Sequence, residues 1–116
     1  MKKDILYIDR SKWKTGSSGH GYSRLLNQEG FMCCLGFRCE QMGIPTQELL
    51  EQACPSSLGQ VYDIPDLTTE EGYDTSFSNE AMSINDKSSI RSSTRERLIK
   101  KHFATIGIKV VYGGKY

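Results

Sequence analysis

The chain has 116 residues, a formal net charge of +1, 37% hydrophobic and 25% charged residues, which fits one globular domain over 1–116 and excludes a disordered chain. No apolar run reaches the ~18 residues of a membrane span, and the stretch from Ile5 to Ile8 is too short for a secretory signal. The expectation is a cytoplasmic protein without membrane association, whose cysteines Cys33, Cys34, Cys39 and Cys54 stay reduced.

In chain order, Asp4 to Asp9 reads as a strand, with Ile5 and Tyr7 on one face, Leu6 and Ile8 on the other, and both faces covered. Residues 10–21, rich in Gly and Ser, read as an irregular loop. Arg24 to Asn27 reads as a short strand. A helix is predicted from Met32 to Met42, stopped by Gly43 and Pro45. Its spacing puts Met32, Leu35, Gly36, Cys39 and Met42 on the core side, and Cys34, Arg38 and Gln41 opposite. A second helix fits Thr46 to Ala53 with Thr46 as cap, residues 55–77 read as loop, and Ser78 caps a short helix over Asn79–Asn85.

The clearest element is a helix from Thr94 to Ile106, with capping-box spacing at Ser93 and Glu96 and a stop at Gly107. Leu98, Ile99, His102, Phe103 and Ile106 form its apolar stripe, while Arg97, Lys100, Lys101 and Ala104 face away. Ile108 to Tyr112 reads as a closing strand. Strands at both ends with three to four helices between them predict an α+β domain whose small sheet is formed by the terminal strands.

Charge is polarised along the chain. Residues 59–86 carry seven acids and no Lys or Arg, whereas residues 87–116 carry eight bases and only Glu96. The two segments either lie together and neutralise each other or form separate surfaces of opposite sign, one of them for a partner.

The loop and its flanks, 10–24, hold the candidate ligand-binding residues: Lys12, Trp13, Lys14, Gly19, His20, Gly21, Tyr22 and Arg24. Glycines let backbone N–H groups approach an anion, and Trp13 and Tyr22 offer rings on which a base can stack. The spacing Gly16-x-x-Gly19-x-Gly21 is neither a P-loop nor a dinucleotide fingerprint. Glycine-serine loops are commonly plain connections, and a lone Trp commonly fills a core.

A thiol nucleophile at Cys33 or Cys34 has a helix N-terminus and Arg38 in its favour. The run from Gly30 to Phe37 loosely resembles the nucleophile segment of papain-like cell-wall peptidases, which need a His on a later strand. His102 lies on a helix and His20 precedes the cysteines, so buried packing is the better reading. The cysteines lack CxxC spacing and no metal is expected. His102 reads as a boundary histidine, and Asn85-Asp86 as a cap or turn.

Ser11-Lys12-Trp13, Leu25-Leu26-Asn27, the run Gly30-Phe31-Met32-Cys33-Cys34-Leu35-Gly36-Phe37, Cys39 and Ile84-Asn85-Asp86 together resemble small uncharacterised proteins of bacteriophages and prophages that carry a Cys-Cys-Leu-Gly motif. The resemblance implies an origin and no particular chemistry. The expected function is that of a non-enzymatic accessory protein without a cofactor, acting by binding a host protein in the host cytoplasm, as in modulation of host defence. The alternative is binding of a small anionic, nucleotide-type ligand at the 10–24 loop; a cysteine-dependent enzyme is the third reading. The net charge argues neither for nor against nucleic acid, which is not an expected partner.

Overall fold

The computed structural model describes residues 4–15, 23–59, 62 and 64–114. Strand β1 (Ile5–Asp9) pairs in parallel with β2 (Lys109–Gly113), in the register Leu6 to Val110 and Ile8 to Tyr112. The expected α+β architecture with paired terminal strands is thus the fold. Four α-helices lie between them among the described residues: α1 (Cys34–Gln41), α2 (Thr46–Leu49), α3 (Ser76–Asp86) and α4 (Ser92–Ala104). Short 3-10 turns cover Arg10–Lys12 and Pro55–Leu58. No described helix is long and apolar enough to cross a membrane.

Alternation in β1 and β2 sends Leu6, Ile8 and Val110 inward, where they are buried. Helix α1 packs against β1 and α3, α3 packs against α4, and α4 returns against β2. The core comprises these strand residues with Leu25, Leu35, Cys39, Leu49, Leu67, Ile99 and Phe103. The outer face of the sheet is open, contrary to the expectation of two covered faces. Ile5, Tyr7 and Val111 are exposed there, Tyr7 at 56%.

Helix α1 departs from its predicted amphipathic pattern. Every residue from Met32 to Cys39 is buried, including Cys34 and Arg38, which the spacing had put on the outer side. The helix is surrounded by neighbouring elements, and Arg38 reaches out of this environment to Gln41 (2.6 Å) and Asp66 (3.3 Å). Gly36 is required by close approach. A Cβ at this position would lie 1.9 Å from the Leu25 carbonyl oxygen, so any side chain forces α1 away from the 23–26 segment.

That segment is not a strand. Leu26 forms a single bridge to Leu50, flanked by Leu25 N–H donating to the Gln52 carbonyl (2.8 Å) and Glu51 N–H to the Leu26 carbonyl (2.7 Å). The same pairing shortens α2, which ends at Leu49 and not Ala53. Pro45 occupies its cap position, without a capping side chain.

Helix α3 begins earlier than predicted, because Thr75 and not Ser78 is its cap: Thr75 Oγ1 accepts from the Ser78 N–H (3.1 Å). Ser78 is buried and donates to the Leu67 carbonyl (2.8 Å), anchoring α3 on the 64–67 turn. Helix α4 is shifted N-terminally, with Arg91 as a cap residue that makes no side-chain bond, so the Ser93–Glu96 capping box does not form. Gly107 stops α4 as expected, at φ +80°, with Ile108 N–H donating to the Phe103 carbonyl.

The α4 stripe is buried at Ile99 and Phe103 and half-buried at Leu98 and Ile106. Phe103→Ala should therefore cost about 3–5 kcal/mol in denaturant unfolding. Leu98→Ala, expected from sequence to be a fully buried site, should cost less than half as much; equal losses would contradict this packing.

Candidate functional site

A few of the residues singled out in the sequence, Trp13, Lys14, Cys34 and Asp86, meet around the side chain of Asn85, the penultimate residue of α3. Its Oδ1 accepts from the Trp13 indole N–H (2.7 Å) and from the Cys34 backbone N–H (3.0 Å). Its Nδ2 donates to the Lys14 carbonyl (2.9 Å) and to Asp86 Oδ1 (2.9 Å). An amide has two acceptor and two donor positions, and here all four are used. Asn85 is fully buried, so it is neither the cap nor the turn residue that its position suggested.

Residues 12–14 are held from the other side by α1's lead-in. Met32 N–H donates to the Lys12 carbonyl (2.9 Å) and Lys14 N–H to the Met32 carbonyl (2.8 Å), forming the Trp13–Met32 bridge. The result separates the candidate binding residues: Lys12 is exposed, Trp13 is buried, Lys14 is 1% exposed and Arg24 is half-buried. Gly19, His20, Gly21 and Tyr22 lie outside the described residues.

Trp13 stacks on Tyr112 of β2 with ring centroids 5.5 Å apart. Tyr112 donates its hydroxyl proton to the Glu96 carbonyl (2.8 Å), and burial raises its phenol pKa. Arg10 lies over the same ring at 5.4 Å and grips the Glu96 carboxylate with Nε and Nη2, both at 2.7 Å. Arg95 is 5% exposed and donates to the Ile84 carbonyl (3.4 Å) and the Lys87 carbonyl, closing the C-terminal end of α3. Arg95 was not singled out from sequence, although it stands four residues before Ile99 on the buried stripe of α4.

Three of the four thiols, Cys33, Cys34 and Cys39, are buried in the packing around α1. Burial pushes the Cys33 and Cys39 thiols up to about 12 and Cys34 well above its ordinary value. Desolvation thus outweighs the helix-terminal dipole that favoured a thiolate in the sequence. Cys34 Sγ approaches the Ala81 carbonyl at 3.8 Å, a packing contact. Among the described residues no group of three or more His, Cys, Asp or Glu side chains is placed to hold a metal.

His102 stacks on Phe77 at 4.2 Å, with Nε2 at 2.9 Å from the Phe77 carbonyl and Nδ1 at 3.0 Å from Glu80. The exposed cations of α4, Arg97, Lys100 and Lys101, and Lys109 of β2 have no ion-pair partner among the described residues. Between Lys100 and Lys109 a groove of about 280 Å³ opens, lined also by Ala104, Gly107 and Ile108.

Comparison with family models, with curated proteins and with solved structures found no match.

Two outcomes check this geometry. Asn85→Ala should destabilise the fold by about 3–5 kcal/mol, because it takes the acceptor from the buried Trp13 and Cys34 N–H donors; a loss below about 1 kcal/mol would show that water replaces the amide. Native-state alkylation at pH 8 should modify Cys54, which is half-buried, and spare Cys33, Cys34 and Cys39 until the protein is unfolded, as read by mass spectrometry.

Proposed function

We propose that the protein is a binding module that docks an acidic protein partner on the outer face of its terminal sheet and the adjoining face of α4. One observation carries this reading: the exposed apolar trio Ile5, Tyr7 and Val111 on a parallel sheet, with exposed Lys109 in register beside Ile5. Parallel sheets ordinarily have both faces covered, and an exposed apolar patch with a polar rim is the common form of an interaction site. In the register, Lys109 lies opposite Ile5 and Val111 opposite Tyr7. Lys109 therefore joins the apolar face to the groove beside Lys100.

Lys109 and Lys100 on one side of the apolar patch favour a partner with carboxylates beside an apolar contact, and they steer its approach. The likeness to phage-encoded proteins supports a host protein as that partner. The proposal needs no catalytic thiol and no cofactor.

Immobilised wild-type protein should retain an acidic protein from bacterial lysate, with retention falling as salt rises. The double variant Val111→Asp/Lys109→Glu should lose that protein while its melting temperature stays within about 3 °C, since both sites are exposed. Undiminished retention by the double variant would overturn the reading. So would sedimentation of the isolated wild-type chain as a dimer that the same substitutions dissociate, because a second copy would then cover the face.

A further inference from the structure

The free edge of β1 gives the docking face a directional chemistry, and we propose that the partner adds an extended strand of its own there, making the two-stranded sheet three-stranded. The inference rests on the docking reading above and names the form of the partner, a β-segment joined to β1 by main-chain hydrogen bonds.

The register decides which backbone groups are on offer. Lys109 N–H donates to the Asp4 carbonyl (2.8 Å), and Ile5 lies opposite Lys109. In a parallel pair this hands the N–H and C=O groups of Leu6 and Ile8 to β2 and turns those of Ile5 and Tyr7 to the opposite edge. Gln41, the last residue of α1, shows the same direction, because its side-chain amide donates to the Ile5 carbonyl. Tyr7 directs its N–H and C=O the same way, and neither has a hydrogen bond among the described residues.

The Tyr7 side chain leaves that edge open. A Cβ at Gly113 would lie 1.9 Å from the Tyr7 hydroxyl, so the ring leans across the outer face onto β2 and away from the free side of β1. β1 also lacks the devices that ordinarily blunt an edge. From Ile5 to Ile8 it has no proline and no charged residue, and its register with β2 runs without a bulge.

These groups select the occupant. A helix or a rigid loop laid on this face would bury the Tyr7 N–H and C=O with nothing to bond them. A strand satisfies both, and its alternate side chains fall beside Ile5 and Tyr7 on the outer face. The segment that fits is therefore extended, with apolar residues at every second position.

Amide hydrogen exchange of the free full chain, read by NMR, gives the first test. Tyr7 should exchange about tenfold faster than Leu6 and Ile8, whose amides the ladder holds; equal rates would overturn the proposal. The second test uses the acidic protein that the wild type retains from bacterial lysate, eluted in high salt and applied again to two variants. Tyr7→Thr and Tyr7→Pro both lack the ring, but only the proline lacks the N–H, which takes no part in the β1–β2 ladder. Tyr7→Pro should bind about tenfold more weakly than Tyr7→Thr, and the wild-type Tyr7 amide should become protected in the complex. Equal binding by the two variants, or an unprotected Tyr7 amide, would overturn strand addition and leave the docking reading standing. If the wild type retains nothing, the docking reading falls and this inference with it. Should Tyr7→Pro fail to fold, protection of the Tyr7 amide in the complex decides alone.

Discussion

The side-chain amide of Asn85 joins the Trp13–Lys14 segment, the first turn of α1 and the end of α3, and the placement of nearly everything else follows from it. With Trp13 fixed from below by Asn85, its ring is set against Tyr112 of β2. Tyr112 in turn positions its hydroxyl on Glu96, whose carboxylate holds Arg10. A single buried amide with every position satisfied thus links the loop, three helices and the closing strand. Such a network is specific because each member left alone would be a buried polar group without a partner.

This arrangement gives the Cys-Cys-Leu-Gly run a physical meaning. Cys33 precedes α1 and donates its N–H to the Arg24 carbonyl (3.0 Å), the Cys34 N–H reaches Asn85, Leu35 fills the core, and Gly36 lets the Leu25 carbonyl come close. Each of the four residues serves close packing between α1 and its neighbours. Trp13 and Cys34 meet on the Asn85 amide and Cys33 holds the Arg24 carbonyl, so Trp13, Cys33, Cys34 and Asn85 all take part in this packing.

The terminal strands, α4 and its glycine stop were legible from alternation and period because each has one face toward the core. The surroundings of α1 were not. Periodicity assigns one inward face, and a helix enclosed on several sides has no outward one, so Cys34 and Arg38 were misplaced. The reduction of the 24–27 strand and the early end of α2 share one cause, the Leu26–Leu50 bridge, which joins residues too far apart for local spacing to reveal. In the candidate site, Trp13 was legible as a chemically rich residue. Its partner was not, because an Asn before Asp at a helix end ordinarily signals a cap. Arg95 was hidden for a similar reason, since an Arg near a basic helix start reads as solvated until the carbonyls it closes are seen.

The parallel pairing of β1 with β2 also governs the order in which the molecule assembles. Ile5 and its partner Lys109 are separated by about a hundred residues, so the sheet closes the largest loop in the fold and the entropy of that closure is met by no local contact. During synthesis β1 emerges first and waits for β2, the last element described. Leu6 and Ile8 have no sheet partner in that interval, while α1, α3 and α4 are free to meet. The pairing of the two terminal strands is thus a contact of very long sequence separation, to which helices α1 and α4 are joined by their own packing on β1 and β2.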